Sequence, residues 1–319
     1  MPRHTSFVPH GVIPAVLLPF FDDLSIDEAS YRSHLRDVTL VEGVSAITIN
    51  AHSTEAASCT FEEQQRVLAI TQDEVGARTP IVNGVYTDST MEAQRLAKMA
   101  HAGGASALLV FPPGIYAFGQ RPEMAVEHFK RIADVTDLPL IAFQYPASGS
   151  MGYPLPTLIK MIEAVPSIRA IKDWCGNAQI ADRQIRALQT RNPPVNVLST
   201  HSAWLFSALV LGCNGLLSGS GSVIADLQAQ LFRAIETKDL AEAQRIHNSI
   251  YHTAEVFYAD PPVDMHNRMK EALVLLGKLP RAVVRPPLVK IPAAEIERIR
   301  QALILAGLLR KDEPVRKAA

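Results

Sequence analysis

The sequence predicts an α/β chain closed into a (β/α)8 barrel, the TIM-barrel class, with a helical extension at its C-terminal end. Three observations predict it. Eight short apolar runs recur at intervals of roughly 30 residues, the size of one strand–helix unit. Amphipathic stretches with helix-capping residues lie between them. The 319-residue length accommodates one such barrel of about 250 residues plus an extension, and an open doubly wound sheet usually carries fewer strands.

The runs are residues 12–18, 44–50, 80–84, 106–111, 139–144, 168–172, 195–199 and 215–218. Continuous apolar segments of this length read as parallel strands buried on both faces. Ile26-Asp27-Glu28 opens the first helix, and Thr60-Phe61-Glu62-Glu63 opens the second with a Thr-x-x-Glu capping box. Asp88-Ser89-Thr90 caps the third, which ends at Ala102-Gly103-Gly104. From about Val223 the pattern is helical without strands, enough for two or three extra helices over one side of the barrel. The division is therefore residues 1–222 for the barrel and 223–319 for the last barrel helix and the extension. The charged tail 311–319 is expected to fray.

Bulk properties narrow the function. Hydrophobic residues make up 48% of the chain and the formal net charge is −1. That balance gives no reason to expect a nucleic-acid or anionic-membrane partner. Cys59, Cys175 and Cys213 are too widely spaced for a disulfide framework or a metal-ligand pattern, so no metal is expected. Met1 to His10 lacks an apolar core of signal-peptide length, and no apolar run approaches about 18 residues. A soluble cytoplasmic enzyme is the expectation.

Active sites of α/β barrels lie at the carboxyl ends of the strands. The sixth run, Ile168-Arg169-Ala170-Ile171-Lys172, ends in a lysine. Burial would lower its pKa from about 10.4, leaving an amine able to attack a ketone and form a Schiff base. The plain alternative is a strand-end lysine that reaches water, as the other lysines are read to do. After the second run, Asn50-Ala51-His52-Ser53-Thr54-Glu55 forms a turn of small and polar residues. It could offer N–H groups and a hydroxyl to a carboxylate, or be an ordinary hydrophilic loop. Glu55 there reads equally as a helix-start acid. After the fifth run, alternation puts Phe143 and Tyr145 on one face and Gln144 on the other. The eighth run enters Leu217-Ser218-Gly219-Ser220-Gly221-Ser222, which could cradle a phosphate or allow close backbone approach; the second is preferred.

Together these motifs resemble the dihydrodipicolinate synthase / N-acetylneuraminate lyase family of class I aldolases. The likeness covers residues 11–279. It includes Pro14-Ala15-Val16-Leu17-Leu18-Pro19-Phe20, Gly212-Cys213-Asn214-Gly215 and Asn267-Arg268-Met269-Lys270-Glu271-Ala272-Leu273. It implies a homotetramer built as a dimer of dimers, and no cofactor beyond a covalent imine between Lys172 and pyruvate or another 2-oxo acid. It also implies that Ser53 and the neighbouring N–H groups, Thr54 included, hold the acid's carboxylate, with Glu55 at the end of that turn.

The departures fall on proton transfer and partner recognition. The family's acid/base tyrosine is replaced by Phe143, and the hydroxyl residue that serves it by His52. The second relay tyrosine falls near Gly114, with Tyr116 close by. The arginine that binds an aldehyde's carboxylate appears as Ser148. His52, with an unperturbed pKa near 6.5, is a competent substitute, and no other titratable residue at its turn is so placed. Tyr145 could supply a phenol if the strand end bends. His201, after the seventh run, stands where relatives hold the distal substrate, and Ser218 lies at the next strand end. The leading expectation is a lyase or aldolase joining a 2-oxo acid and an unknown aldehyde, or dehydrating their product, but not dihydrodipicolinate synthase itself. A non-catalytic 2-oxo acid sensor and a phosphate-handling barrel enzyme are the alternatives.

Overall fold

The structure is a computed structural model that describes residues 4–146 and 149–311. Eight parallel strands form one sheet: β1 (Gly11–Pro14), β2 (Ile47–Ile49), β3 (Ile81–Val85), β4 (Ala107–Val110), β5 (Leu140–Gln144), β6 (Ile168–Asp173), β7 (Asn196–Ser199) and β8 (Gly215–Ser218). From β2 to β8 each pairs with its sequence neighbour, and β1 pairs with β8 in the register Gly11↔Gly215 to Pro14↔Ser218. Single parallel bridges, Val12↔Val44 and Ala15↔Thr48, close the barrel between β1 and β2. Every strand falls within or against its expected run. The first is shorter than expected because, beyond Pro14, the Leu17 N–H leaves the ladder and donates to His34 Nε2 at 3.2 Å.

Helices α1 (Glu28–Thr39), α2 (Phe61–Glu74), α3 (Thr90–Ala102), α4 (Pro122–Ala133), α5 (Leu155–Ala164), α6 (Ala178–Gln189), α7 (Leu205–Val210) and α8 (Gly221–Glu236) follow the strands in turn. The expected caps form. Thr60 accepts from the Glu63 N–H at 3.2 Å, and Glu63 returns the bond to the Thr60 N–H at 2.9 Å. Asp27 and Ser89 cap α1 and α3. These bonds satisfy donors that every helix start otherwise leaves orphaned.

Strand parity divides the core in two. Ile13, Val82, Leu109, Ile141, Ala170, Leu198 and Leu217 fill the barrel interior. Their strand neighbours pack outward against the helices. The interior stack continues upward through Ala15, Phe111 and Phe143, so residues of the same parity at the strand ends face one shared space.

Three further helices, α9 (Leu240–Phe257), α10 (Met265–Leu275) and α11 (Ala293–Leu305), form the extension. They are held by buried charge. Arg268 is fully buried, bonding Glu295 at 2.9 Å and the carbonyls of Ala259 and Asp260. Lys270, also fully buried, pairs with Glu55 and donates to the Val283 carbonyl at 2.8 Å. The surface reading therefore fails for Lys270. The helix-start reading fails for Glu55. It sits in the left-handed region at φ 53°, between two 3-10 turns, with its second oxygen accepting the Arg285 N–H at 2.8 Å. A buried charge needs such partners, since unpaired it costs several kcal/mol.

Candidate active site

The turn after β2 is a tight 3-10 turn, His52–Thr54. Thr54 closes it with its own hydroxyl, which accepts from the Ala51 N–H at 2.9 Å and donates to the Ala51 carbonyl at 3.0 Å. Thr54 thus shapes the turn and has no hydroxyl proton left over for a ligand. Ser53 differs: its Oγ is buried and has no hydrogen-bond partner among the described residues.

Lys172 lies on β6 opposite Phe143 of β5 and Leu198 of β7. It is only 6% exposed. Its Nζ stands 4.1 Å from the centre of the Phe143 ring. No carboxylate reaches it among the described residues. Burial without a counter-charge pushes its ammonium down from 10.5 to about 7. The next residue, Asp173, faces away from the barrel axis; burial raises its carboxyl to about 6, and the Cys175 Sγ lies 3.1 Å from it.

The opposite wall is aromatic. His52 packs against Phe111 at 4.6 Å and Tyr86 at 4.9 Å between ring centres. Its Nε2 is 3.3 Å from the Tyr145 hydroxyl. Phe143 and Tyr145 share a face, with ring centres 4.6 Å apart. Gln144 points the other way, bonding the Tyr153 backbone at 2.8 and 2.9 Å. The expected parity of this strand end holds, and it brings a phenol to the imidazole. Burial, then the nearby Lys172 charge, pushes His52 down to about 3. The near-neutral titration expected of it is thereby lost; it is a neutral donor or acceptor at physiological pH.

His201 stacks near Trp174 with centres 6.3 Å apart and meets Tyr258 of the extension at 4.3 Å. Both rings line the Lys172 cavity with it. Ser218 is buried, its hydroxyl 3.0 Å from that of Ser220. Ser222 donates to the Gly219 carbonyl at 2.7 Å. The Gly/Ser loop thus spends these hydroxyls on itself, and its glycine allows close approach. A Cβ at residue 219 would stand 3.0 Å from His266 Nε2. Tyr116 is buried against the hydrophobic core and lies off the Lys172 cavity. Ser148 lies outside the described residues.

Two residues escaped the sequence reading. Tyr86 follows β3 with the parity of Val82, so reading the third strand end like the others would have found it. His266 enters the cavity from α10 and is held well below its ordinary pKa, first by burial and then by the charges around it. No local pattern marks it, because docking of the extension alone places it there.

The cavity beside Lys172 is narrow, about 30 Å³. Past His52, Trp174, Met265 and His266 lies a roomier one of about 360 Å³.

The family model described as the dihydrodipicolinate synthetase family matches residues 8–305. The 4-hydroxy-tetrahydrodipicolinate synthase of Chloroherpeton thalassium is 30% identical over 301 residues, covering 94% of this chain and 96% of that one. The enzyme of the same name from Gluconacetobacter diazotrophicus is 31% identical over 301 residues, covering 94% and 97%. Among solved structures, YagE, a prophage protein of the dihydrodipicolinic acid synthase family from E. coli K12 in complex with pyruvate, superposes with a TM-score of 0.87 at 23% identity. That match covers 94% of this chain and 99% of the other. Dihydrodipicolinate synthase from Thermotoga maritima gives 0.87 at 23% identity, covering 95% and 100%. At these identities the structural likenesses establish the barrel fold.

Proposed function

Because the chain belongs to the dihydrodipicolinate synthetase family and so is an enzyme of the aldolase type, we propose that it acts on a 2-oxo acid through a Schiff base on Lys172. The observation that carries this is the state of Lys172: buried at a strand end, without a carboxylate partner, and with its ammonium pushed down to about 7. A useful fraction of free amine then exists at neutral pH, which an exposed lysine lacks. Ser53 supports the same reading. A buried hydroxyl without a partner costs stability unless a ligand satisfies it, and a carboxylate at the β2 turn would.

Proton transfer is assigned to Tyr145 and His52. The carbinolamine must gain and lose protons on its way to the imine, and so must the oxygen of the second substrate. Tyr145 and His52 are bonded to each other next to the Lys172 cavity, which suits a relay that passes a proton without either group staying charged. Relatives named 4-hydroxy-tetrahydrodipicolinate synthase share the family, yet this chain is assigned a different aldehyde. Ser148 cannot make the forked, charge-assisted contact of an arginine with a carboxylate. Its loss costs about 2–4 kcal/mol, or a factor of roughly thirty to a thousand in rate. We assign the assembly as a tetramer, the closed symmetry common for such enzymes.

Borohydride reduction in the presence of pyruvate tests the proposal. An intact-mass increase carried by the Lys172 peptide is expected; no adduct, or one on another lysine, overturns it. Aldol turnover separates the enzyme from a sensor that only binds.

A further inference from the structure

Resting on the Lys172 imine proposed above, we infer that the second substrate is an uncharged aromatic aldehyde, seated in the 360 Å³ cavity that shares His52, Trp174, Met265 and His266 with the narrow Lys172 cavity.

The lining of that cavity selects its occupant. Tyr86, Trp174, Val263, Met265, Pro287 and Leu288 give its wall apolar and aromatic surface, and among the described residues no lysine or arginine lines it. The nearest cations of the extension are already committed. Lys270 pairs with Glu55, and Arg285 grips Glu63 through two bonds of 2.6 and 2.7 Å. Glu55 itself lines the cavity with its two oxygens engaged by Lys270 and the Arg285 N–H. The two imidazoles that line both cavities, His52 and His266, are held below their ordinary pKa, first by burial and then by nearby positive charge. Among the described residues Lys172 is the one lysine or arginine lining the narrow cavity, and its nitrogen is uncharged in the enamine that meets the second substrate. A carboxylate or phosphate on the second substrate would lose its water and gain no counter-charge, a cost of several kcal/mol.

A polyhydroxylated chain fits no better. Its hydroxyls would meet the Pro262, Val263, Pro287 and Leu288 side chains with few hydrogen-bond partners. An aromatic ring gains where these lose. Tyr86 and Trp174 offer ring edges and faces, and Met265 offers a polarizable thioether. The volume suits a single ring with a short substituent, and lies near the lower end of the roughly 300–1,000 Å³ typical of small-molecule sites.

The chemistry balances without any other reagent. The Lys172 amine condenses with the pyruvate ketone and releases one water. The imine nitrogen takes up a proton, given back on hydrolysis, and loss of a methyl proton to the relay then gives the enamine. Its carbon bonds to the aldehyde carbon while the aldehyde oxygen takes up a proton, supplied through His52, which lines both cavities and stands 3.3 Å from the Tyr145 hydroxyl. One water then hydrolyses the imine, restores the amine and frees an aryl-substituted 4-hydroxy-2-oxo acid. The reverse sequence cleaves that acid.

The test uses the full chain with pyruvate and three aldehydes: benzaldehyde, succinic semialdehyde and glyceraldehyde. Borohydride trapping of pyruvate on Lys172 is run first, and its failure overturns the imine rather than the cavity assignment. With the adduct present, benzaldehyde is expected to show kcat/KM at least about tenfold above the other two. A preference for succinic semialdehyde or glyceraldehyde overturns the inference and leaves the imine standing. Leu288→Arg adds a cation to the cavity wall and is expected to reverse the preference toward succinic semialdehyde. Val263 is 62% exposed at the rim, so Val263→Arg serves the same purpose if Leu288→Arg does not fold. An unchanged ratio in a folded variant overturns the seat assigned to the ring.

Discussion

On the side of Lys172 and Ser53, polar groups stand open among the described residues: the Lys172 amine meets no carboxylate and the Ser53 hydroxyl makes no hydrogen bond. The other side, His52 of the β2 turn with the ends of β3 to β5, is aromatic. His52, Tyr86, Phe111, Phe143 and Tyr145 pack ring against ring at 4.6–5.1 Å where they touch. The first side carries a cost of desolvation that a bound 2-oxo acid relieves. The second is fixed by packing before any ligand arrives, so its donors hold their places through the reaction. Binding and proton transfer are thus held by different physical means, and substitutions can separate them.

The largest effect is expected at Lys172. Lys172→Ala removes both the pyruvate adduct and turnover, read by intact mass and by product formation. An adduct that persists breaks the comparison at its root. Next come Tyr145→Phe and His52→Ala. Each is expected to lower kcat by about 10²–10⁴, the usual worth of a general acid or base, with borohydride trapping still complete. Because the two side chains share a hydrogen bond, the double variant should lose less than the product of the single losses. Strict multiplication would mean that they act apart.

Ser53→Ala addresses the other side. A hydroxyl donating to a carboxylate is worth about 1.5–3 kcal/mol, so KM for pyruvate should rise about ten- to hundredfold with kcat nearly kept. A fall in kcat at constant KM would move Ser53 to the proton-transfer side. The smallest effect is that of pH. Burial lowers Lys172 to about 7, so the free amine grows as pH rises through 7 and is complete above it. The rate of adduct formation should rise up to tenfold per pH unit below 7 and level off above. His52, near 3, adds no limb in this range. The His52→Ala profile should therefore keep its midpoint, and a midpoint that disappears would return the near-neutral titration to the imidazole.

The barrel was legible because its signals are local. Each strand is a continuous buried run, and Asp27, Thr60 and Ser89 cap their helices as the sequence implies. Lys172 and the Phe143/Tyr145 parity were legible too, since strand alternation fixes which way a residue faces. The pKa of His52 was not, because it depends on Phe111 and Tyr86, contributed by other strands. Glu55 was misread for the same reason. Its partners Lys270 and Arg285 lie more than 200 positions away. His266 had no signal at all, since its place in the site comes from how α10 docks over the Gly219 loop.

The Glu55 contacts give the order in which the protein becomes competent. The turn that carries His52 and Ser53 leaves the ribosome early, while Arg285, which binds the Glu55 carboxylate, follows 230 residues later. All eight strands can pair in the meantime, with Lys172 in place, but the left-handed bend at Glu55 has no counter-charge until the extension arrives. A chain stopped at residue 262 would hold every strand and still lack an organised carboxylate pocket, which pyruvate trapping on that fragment would reveal as a slow or absent adduct. The length of chain that carries every strand and the length that completes the Glu55 contacts are, for this protein, different.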